Sequence, residues 1–497
     1  MNRQIRQVTV LVLVMFLALA ASVTSVQGLA RPALWQASSD QGTLVTDPRN
    51  SRTIYAQYGT DRGQIIVGGT VIADSTPVDD AYAFQRVYTG GQSYSHVTGH
   101  FSTVFASMTG LEQAENSVLN GDDPSLLSSR LKALVTGGST SGGAIELTID
   151  PQIQQAAWDA LGGRRGSVVA LDPATGAVLA MVSSPSYDAN TLATHDAEAA
   201  QAALAALEAD EGKPLANRAI AGDLYPPGST FKIITVAAAL RAGALTPDTQ
   251  VSAPDSITLP GTNHQLTNYA GESCGNGTVT VAYAFAESCN TPFAQMAIDL
   301  GDQALADEAQ AWGFGERMTI PLGVTPSVYP ANSDAAQTAM AGIGQASVRA
   351  TPLMMAMVAA TIANDGEQMA PYLVARTLDS DLNVVDTTTP TVARTPIDPA
   401  TASTLTSLMA QAVSQGTGTR AQVAGVSVFG KTGTAETGSE EGGPITWFIG
   451  FAGTDPENPT VALAVVLDGG EQTAGTGTGG SEAGPIAAAV IDAAVDQ

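Results

Sequence analysis

Apolar runs with strand character lie at both ends of the long C-terminal part of this chain, and a mostly helical, loop-rich stretch from about Ala189 to Gln415 separates them. On the early side, "SVVALDPATGAVLAMVSSP" reads as a hairpin, two apolar runs joined by Asp172 to Gly176. On the late side, "GVSVFGKTGTAE", "TWFIGFAGT" and "TVALAVVLDGG" read as strands before a closing apolar helix, "SEAGPIAAAVIDAAVDQ". Strands around a helical insertion predict one antiparallel sheet assembled from distant parts of the chain, an α/β (α+β) arrangement. Such a sheet brings early and late motifs together.

At 497 residues the chain is too long for one ordinary core and suggests two or three domains. Residues 31–143 alternate short β-like runs, such as "RGQIIVGGTVIA", with polar turns, which predicts a small mixed, β-rich domain. A Gly/Ser/Thr linker from Gly137 to Gly143 places a boundary near Gly143, with a second domain over 144–497. Before both, Arg3 and Arg6 precede an uncharged run from Val8 to Val26, long enough to span a bilayer as a helix. Residues 1–30 therefore read as a cytoplasmic tip and uncleaved signal anchor, with cleavage near Ala18-Leu19-Ala20 as the alternative. The charge asymmetry predicts a single-pass protein of the cell membrane whose body is extracytoplasmic.

Lysine plus arginine total 21 against 47 aspartate plus glutamate, a net charge of −26 that argues against a nucleic-acid partner. The two cysteines, Cys274 and Cys289, lack metal-ligand spacing, and no metal is expected. In an oxidising compartment a disulfide between them is favoured over two free thiols, and its small loop would contribute about 3 kcal/mol.

Chemistry concentrates in three short motifs. In "YPPGSTFKIITVAAAL" a stiff turn precedes Ser229, and Thr230 to Ala242 reads as an apolar helix, so the serine stands at a helix start where developing negative charge is favoured. Lys232 lies one turn on, with "IITVAAAL" behind it suited to burying the amine and lowering its pKa until it can act as a base. The four histidines, His96, His100, His195 and His264, sit in no nucleophile motif, so a Ser-His-Asp triad is not expected. A second Ser-x-x-Lys, Ser129 to Lys132, has no preceding turn and reads as solvated helix. "AESCNTPF" adds Ser288 and Asn290, and "FGKTGTAE" adds Lys431, Thr432, Gly433 and Thr434 on a predicted strand. Each is weak alone; the order and spacing of all three are specific.

These motifs resemble those of the penicillin-interacting serine acyltransferases. The similarity extends to "LTIDPQIQQAA", "NRAIAGDLYPPGSTFKI", "AGIGQASVRATPLMMAMVAATIANDG", "WFIGFAG" and, in the first domain, "YSHVTGHFS", so that essentially the whole chain resembles a cell-division subgroup of class B penicillin-binding proteins. The resemblance implies a transpeptidase domain with a five-stranded antiparallel sheet flanked by helices, an all-helical lobe, and an N-terminal non-catalytic, pedestal or dimerisation-like domain. It implies Ser229 as acylated nucleophile, Lys232 as base, Ser288 as proton relay and Asn290 as the orienting amide. Lys431 would suppress protonation of Lys232 and, with Thr432, Gly433 and Thr434, receive the substrate carboxylate; the oxyanion would face the N–H groups of Ser229 and Thr434. A Cys274–Cys289 bridge would pin the cleft wall carrying Ser288 and Asn290.

The implied reaction is D,D-transpeptidation of peptidoglycan stem peptides ending in D-Ala-D-Ala, without cofactor, blocked covalently by β-lactams. No segment before the first domain could house a glycosyltransferase, so a lipid II polymerase and other division proteins are the implied partners. A β-lactamase or D,D-carboxypeptidase is the enzymatic alternative, with Glu308, Glu316 and Glu367 as the available carboxylates. A β-lactam sensor or silent division scaffold is the alternative from another class.

Overall fold

The structure is a computed structural model that describes residues 15–16, 58–128, 130, 141–222, 224–243, 245–330, 332–436, 443–469 and 477–495. Apart from Met15 and Phe16, the Val8–Val26 run lies outside the described residues, as do Ser129 and Lys132. Among the described residues no helix is long and apolar enough to cross a membrane. Residues 60–497 form one compact unit.

Within that unit the expected antiparallel sheet has five strands, in the order Ser427–Ala435, Ile445–Gly453, Val461–Leu467, Gly166–Leu171, Val178–Ser184. Every neighbouring pair is antiparallel. The central strands are buried on both faces, which is why they read as continuous apolar runs rather than alternating ones. Period two still sorts their side chains. Leu463, Val465 and Leu467 join a cluster with Ile153, Ala157, Ile486 and Val490, from the helices Pro151–Leu161 and Gly484–Val495. Ala462, Ala464 and Val466 face the other way, into a cluster with Leu353, Met357 and Val358 of the helix Pro352–Ala363. That helix is apolar all round because it is covered on both sides, and it starts sharply: Thr351 accepts the N–H of Met354, and Pro352 needs no donor partner.

A second sheet of six strands crosses the position where the sequence suggests a boundary. Ala144–Leu147, immediately after Gly143, runs parallel to Ile65–Val67 and antiparallel to Val374–Leu378. Early and late chain thus share one ladder. The early segment is further held by Glu112, which is fully buried and accepts from Arg62 Nε at 2.9 Å, Arg86 Nε at 2.6 Å and the Tyr88 hydroxyl at 3.2 Å. Burying three charges is tolerable only because each oxygen and most of the guanidinium donors find partners.

The insertion between the sheet's two halves corrects one expectation: it is not all-helical. Gln250–Ala253 pairs with Gly277–Thr280, and Ser256–Thr258 with Gln265–Thr267. Pro254, Pro260, Gly261 and Gly271 interrupt this stretch too often for a helix, so Thr-, Ser- and Val-bearing fragments satisfy their backbone by pairing with each other.

Candidate active site

The turn that carries Ser229 is built by close backbone approach. Gly228 adopts φ 53, its N–H donates to the Gly344 carbonyl at 2.9 Å, and a Cβ there would sit 2.9 Å from the Thr434 carbonyl oxygen. Trp447 Nε1 donates to the Pro226 carbonyl at 3.0 Å, and Tyr225 exchanges both backbone hydrogen bonds with Ala350. The expected helix is refined: Gly228–Phe231 is a 3₁₀ turn, and the α-helix runs from Lys232 to Arg241. Ser229 is half-buried in that turn, at the mouth of a cleft, while Lys232 points inward and is fully buried.

Lys232 does not stand alone. Its Nζ donates to the carbonyl oxygens of Ser288 at 2.6 Å and Cys289 at 2.7 Å and to Asn290 Oδ1 at 3.0 Å. Three consecutive residues can aim their oxygens at one amine because Ser288 takes a left-handed φ of 60, a conformation that costs about 1 kcal/mol for a residue with a side chain. Cys289 is bridged to Cys274, so the disulfide is present and anchors the middle of the motif.

The third motif lies on Ser427–Ala435, the edge strand of the five-stranded sheet, with its unpaired edge available to the cleft. Lys431 is fully buried and donates to the Ser288 hydroxyl at 2.8 Å and the Thr432 carbonyl at 3.1 Å. Thr432 exchanges a 2.5 Å hydroxyl contact with Thr417, and the Thr434 hydroxyl accepts the N–H of Gly479 at 3.2 Å. Gly433 has no room for a side chain: a Cβ would lie 2.8 Å from the Pro227 carbonyl oxygen.

Two buried amines therefore meet at one motif, and both are shifted. Burial, and then the charge of Lys431, hold Lys232 well below the usual lysine range. Burial also pulls Lys431 down to about 7, with the nearby Glu287 carboxylate acting in the opposite direction. The three donated hydrogen bonds use all three N–H groups of a protonated Lys232, and its lowered proton affinity favours giving one up, which frees a lone pair that can accept a proton; Lys431 is charged below about 7. This is the electrostatic arrangement that a serine-lysine acyl transfer requires.

Ser229, Ser288, Asn290, Thr432 and Thr434 line one cleft of about 320 Å³; Lys232 and Lys431 are buried and hydrogen-bonded to its lining residues Ser288 and Asn290, and Gly433 packs against the Pro227 carbonyl. The histidines stay out of the cleft. Burial pulls His96 and His100 down to about 4, and they pack around Tyr187, while His195 pairs with Asp80 at 2.5 Å and His264 is exposed. Among the described residues no cluster of metal-ligating side chains occurs.

Several supporting residues escaped the sequence reading. Asn268 accepts the N–H groups of Asn290 at 2.8 Å and Thr291 at 3.2 Å, and Thr417, Arg420 and Ser481 complete the cleft. None lies in a motif, and single polar residues in loops carry no signal until their neighbours in space are known.

Two family models match this chain. Residues 166–492 match the penicillin binding protein transpeptidase domain, and residues 62–145 match the penicillin binding protein A dimerisation domain. The chain is 45% identical over 505 residues to the peptidoglycan D,D-transpeptidase PbpA of Mycolicibacterium smegmatis, covering 100% of this chain and 99% of that protein. It is 42% identical to the protein of the same name from Mycobacterium tuberculosis, again over 100% and 99%. Among solved structures, penicillin-binding protein A of M. tuberculosis in a ceftriaxone acyl-enzyme complex superposes with a TM-score of 0.84 at 43% identity, covering 88% of this chain and 99% of that one. Its penicillin G acyl-enzyme complex gives 0.82 at 44%, over 88% and 99%.

Proposed function

This chain belongs to the penicillin-binding protein transpeptidase family, and we propose that Ser229 is the nucleophile through which it cross-links peptidoglycan stem peptides. The protein is a serine-type D,D-transpeptidase that works through an acyl-enzyme and is acylated by β-lactams. The observation that carries the residue assignment is the convergence of all three motifs on the buried amine of Lys232.

In this reading Ser229 Oγ attacks the carbonyl of the penultimate D-alanine and gives its proton to neutral Lys232. The oxyanion develops against the N–H groups of Ser229 and Thr434. The C–N bond to the terminal D-alanine breaks, and the proton reaches the leaving amine through Ser288, whose hydroxyl is held by Lys431. Lys431, Thr432 and Thr434 receive the terminal carboxylate, with Gly433 keeping the strand close to the nucleophile turn. The amine of a second stem peptide then releases the acyl group as a cross-link. Covalent labelling with a fluorescent penicillin tests the assignment: Ser229→Ala should abolish labelling and Ser129→Ala should preserve it, and labelling that survives the first change would refute it.

Among the described residues the carboxylates that line the cleft are Glu272 and Glu287, so the lifetime of the acyl-enzyme decides between transfer and hydrolysis. Glu308 is committed to Arg241 and the Trp312 indole, and Glu316 to Arg394, so neither is placed to activate water at Ser229. A long-lived penicilloyl-enzyme supports the transpeptidase; rapid turnover would favour a β-lactamase or carboxypeptidase.

The wider assignment follows the same reading. Residues 1–30 anchor the protein in the cell membrane, residues 31–143 form a non-catalytic pedestal or dimerisation-like domain, and residues 144–497 form the extracytoplasmic transpeptidase domain. It serves division and wall growth beside a lipid II polymerase. Release of the protein from membranes on deleting residues 1–30 would support the anchor; unchanged membrane retention would count against it.

A further inference from the structure

The cleft around Ser229 has two chemically unlike walls. On the sheet side stand Arg420 and the hydroxyls of Thr417, Thr432 and Thr434; on the lobe side stand Tyr269, Glu272 and Glu287. Arg420 is exposed and makes no ion pair with any described residue. Glu272 and Glu287 are likewise exposed and unpaired among the described residues, and Tyr269 keeps 49% of its surface in solvent. Glu287 directly precedes Ser288 in the chain and lines the same cleft as Ser229.

The lobe wall is held in register with the chemistry. Asn268 Oδ1 takes the N–H groups of Asn290 and Thr291, and Asn290 Nδ2 returns a bond to the Thr267 carbonyl at 3.1 Å. Six residues beyond Asn268, Cys274 is bridged to Cys289. Tyr269 and Glu272 sit between these two attachments. Their offset from the Ser-Cys-Asn motif is therefore fixed on both sides.

Resting on the reading of Ser229 as the acylated nucleophile, we infer that Tyr269, Glu272 and Glu287 form the acceptor subsite, which receives the ammonium group of the second stem peptide's diamino acid. The two substrates differ most in charge where they enter the cleft. The donor presents a carboxylate, suited to the Arg420 and threonine wall. The acceptor presents an alkyl amine, which at neutral pH arrives protonated because its pKa lies near that of lysine, about 10.4. Two carboxylates and an exposed aromatic ring attract such a cation. In the transfer the amine nitrogen bonds to the acyl carbon and the bond from that carbon to Ser229 Oγ breaks. Of the two protons the ammonium loses, one returns to Ser229 through Lys232 and one passes to solvent.

The test is the partition of the acyl-enzyme between aminolysis and hydrolysis, using the full chain, a thioester donor ending in D-alanine, and two acceptors at pH 7. One acceptor is an Nα-acetylated diamino acid amide, whose free side-chain amine makes it cationic at that pH; the other is hydroxylamine, neutral there. Glu272→Gln should lower the aminolysis-to-hydrolysis ratio for the cationic acceptor by about threefold to fivefold, the range that an exposed ion pair supplies. The ratio for hydroxylamine should move less. Glu272→Lys should lower the cationic ratio further, and Tyr269→Ala should shift it in the same direction. An unchanged preference in all three variants would overturn the subsite. So would a rise in the ratio, which would make the carboxylate an activator of water. Failure of the donor to acylate Ser229 in the unmodified protein would overturn the nucleophile assignment instead, and the subsite with it.

Discussion

Lys431 Nζ donates a 2.8 Å hydrogen bond to the hydroxyl of Ser288, joining the edge strand of the sheet to the helical lobe across the cleft. The same Ser288 accepts from Lys232 through its carbonyl at 2.6 Å. One residue thus touches both buried amines, so their protonation states and the position of the second motif are coupled.

Because burial pulls Lys431 down to about 7, its charge is present below that pH and lost above it. Lys232 is likewise held well below the usual lysine range, by burial and then by the charge of Lys431. The second-order rate of acylation by penicillin should therefore fall as pH rises through about 7, as the cation facing the substrate carboxylate disappears. Lys431→Arg keeps its charge throughout and should shift that alkaline limb upward, at a lower plateau. A flat profile between pH 6 and 9 for the unmodified protein would contradict this account.

Asn290→Ala removes the amide oxygen that Lys232 donates to at 3.0 Å and the bond to the Thr267 carbonyl. Loss of a hydrogen bond to an ionisable group costs about 1.5–3 kcal/mol, so acylation should slow about 10-fold to 100-fold. Stopped-flow acylation with a chromogenic cephalosporin measures it, and a change under twofold would show that the two backbone carbonyls position Lys232 unaided.

Opening the Cys274–Cys289 bridge should act twice. A loop of this size is worth about 3 kcal/mol by chain entropy, so the Cys274→Ser/Cys289→Ser double variant should melt at a lower temperature. It should also acylate more slowly, since Cys289 contributes a carbonyl to Lys232 at 2.7 Å. Mass mapping after alkylation without reductant should leave both cysteines unmodified in the native protein; alkylation of both would reject the bridge.

Glu112→Gln leaves the Arg62 and Arg86 guanidiniums buried with no countercharge from this position. Breaking a buried charge cluster on one side costs about 3–5 kcal/mol. The effect should appear in chemical denaturation, because this cluster lies in the early segment, apart from the cleft. An unchanged midpoint would mean that solvent reaches the cluster.

Much of the catalytic sheet is legible as sequence because each strand is a long apolar run bounded by turn residues, as in Val461–Leu467. The site motifs are legible because their residue types are scarce: two of the chain's four lysines are Lys232 and Lys431. The ladders between Gln250 and Thr280 were hidden, since strands of three or four residues show too little periodicity to declare themselves. The second sheet was hidden for another reason. Ala144–Leu147 finds its partners on both sides of the expected boundary, and pairing between distant segments leaves no mark on either one alone.

The order and spacing of three motifs, read through their resemblance to a known family, were enough to nominate Ser229, Lys232, Ser288, Asn290 and Lys431. They could not say how strongly each lysine is shifted. That depends on how much water each amine has lost and on how near the other charge lies, and both are distances through space that exist only once the sheet edge and the lobe have closed on Ser288.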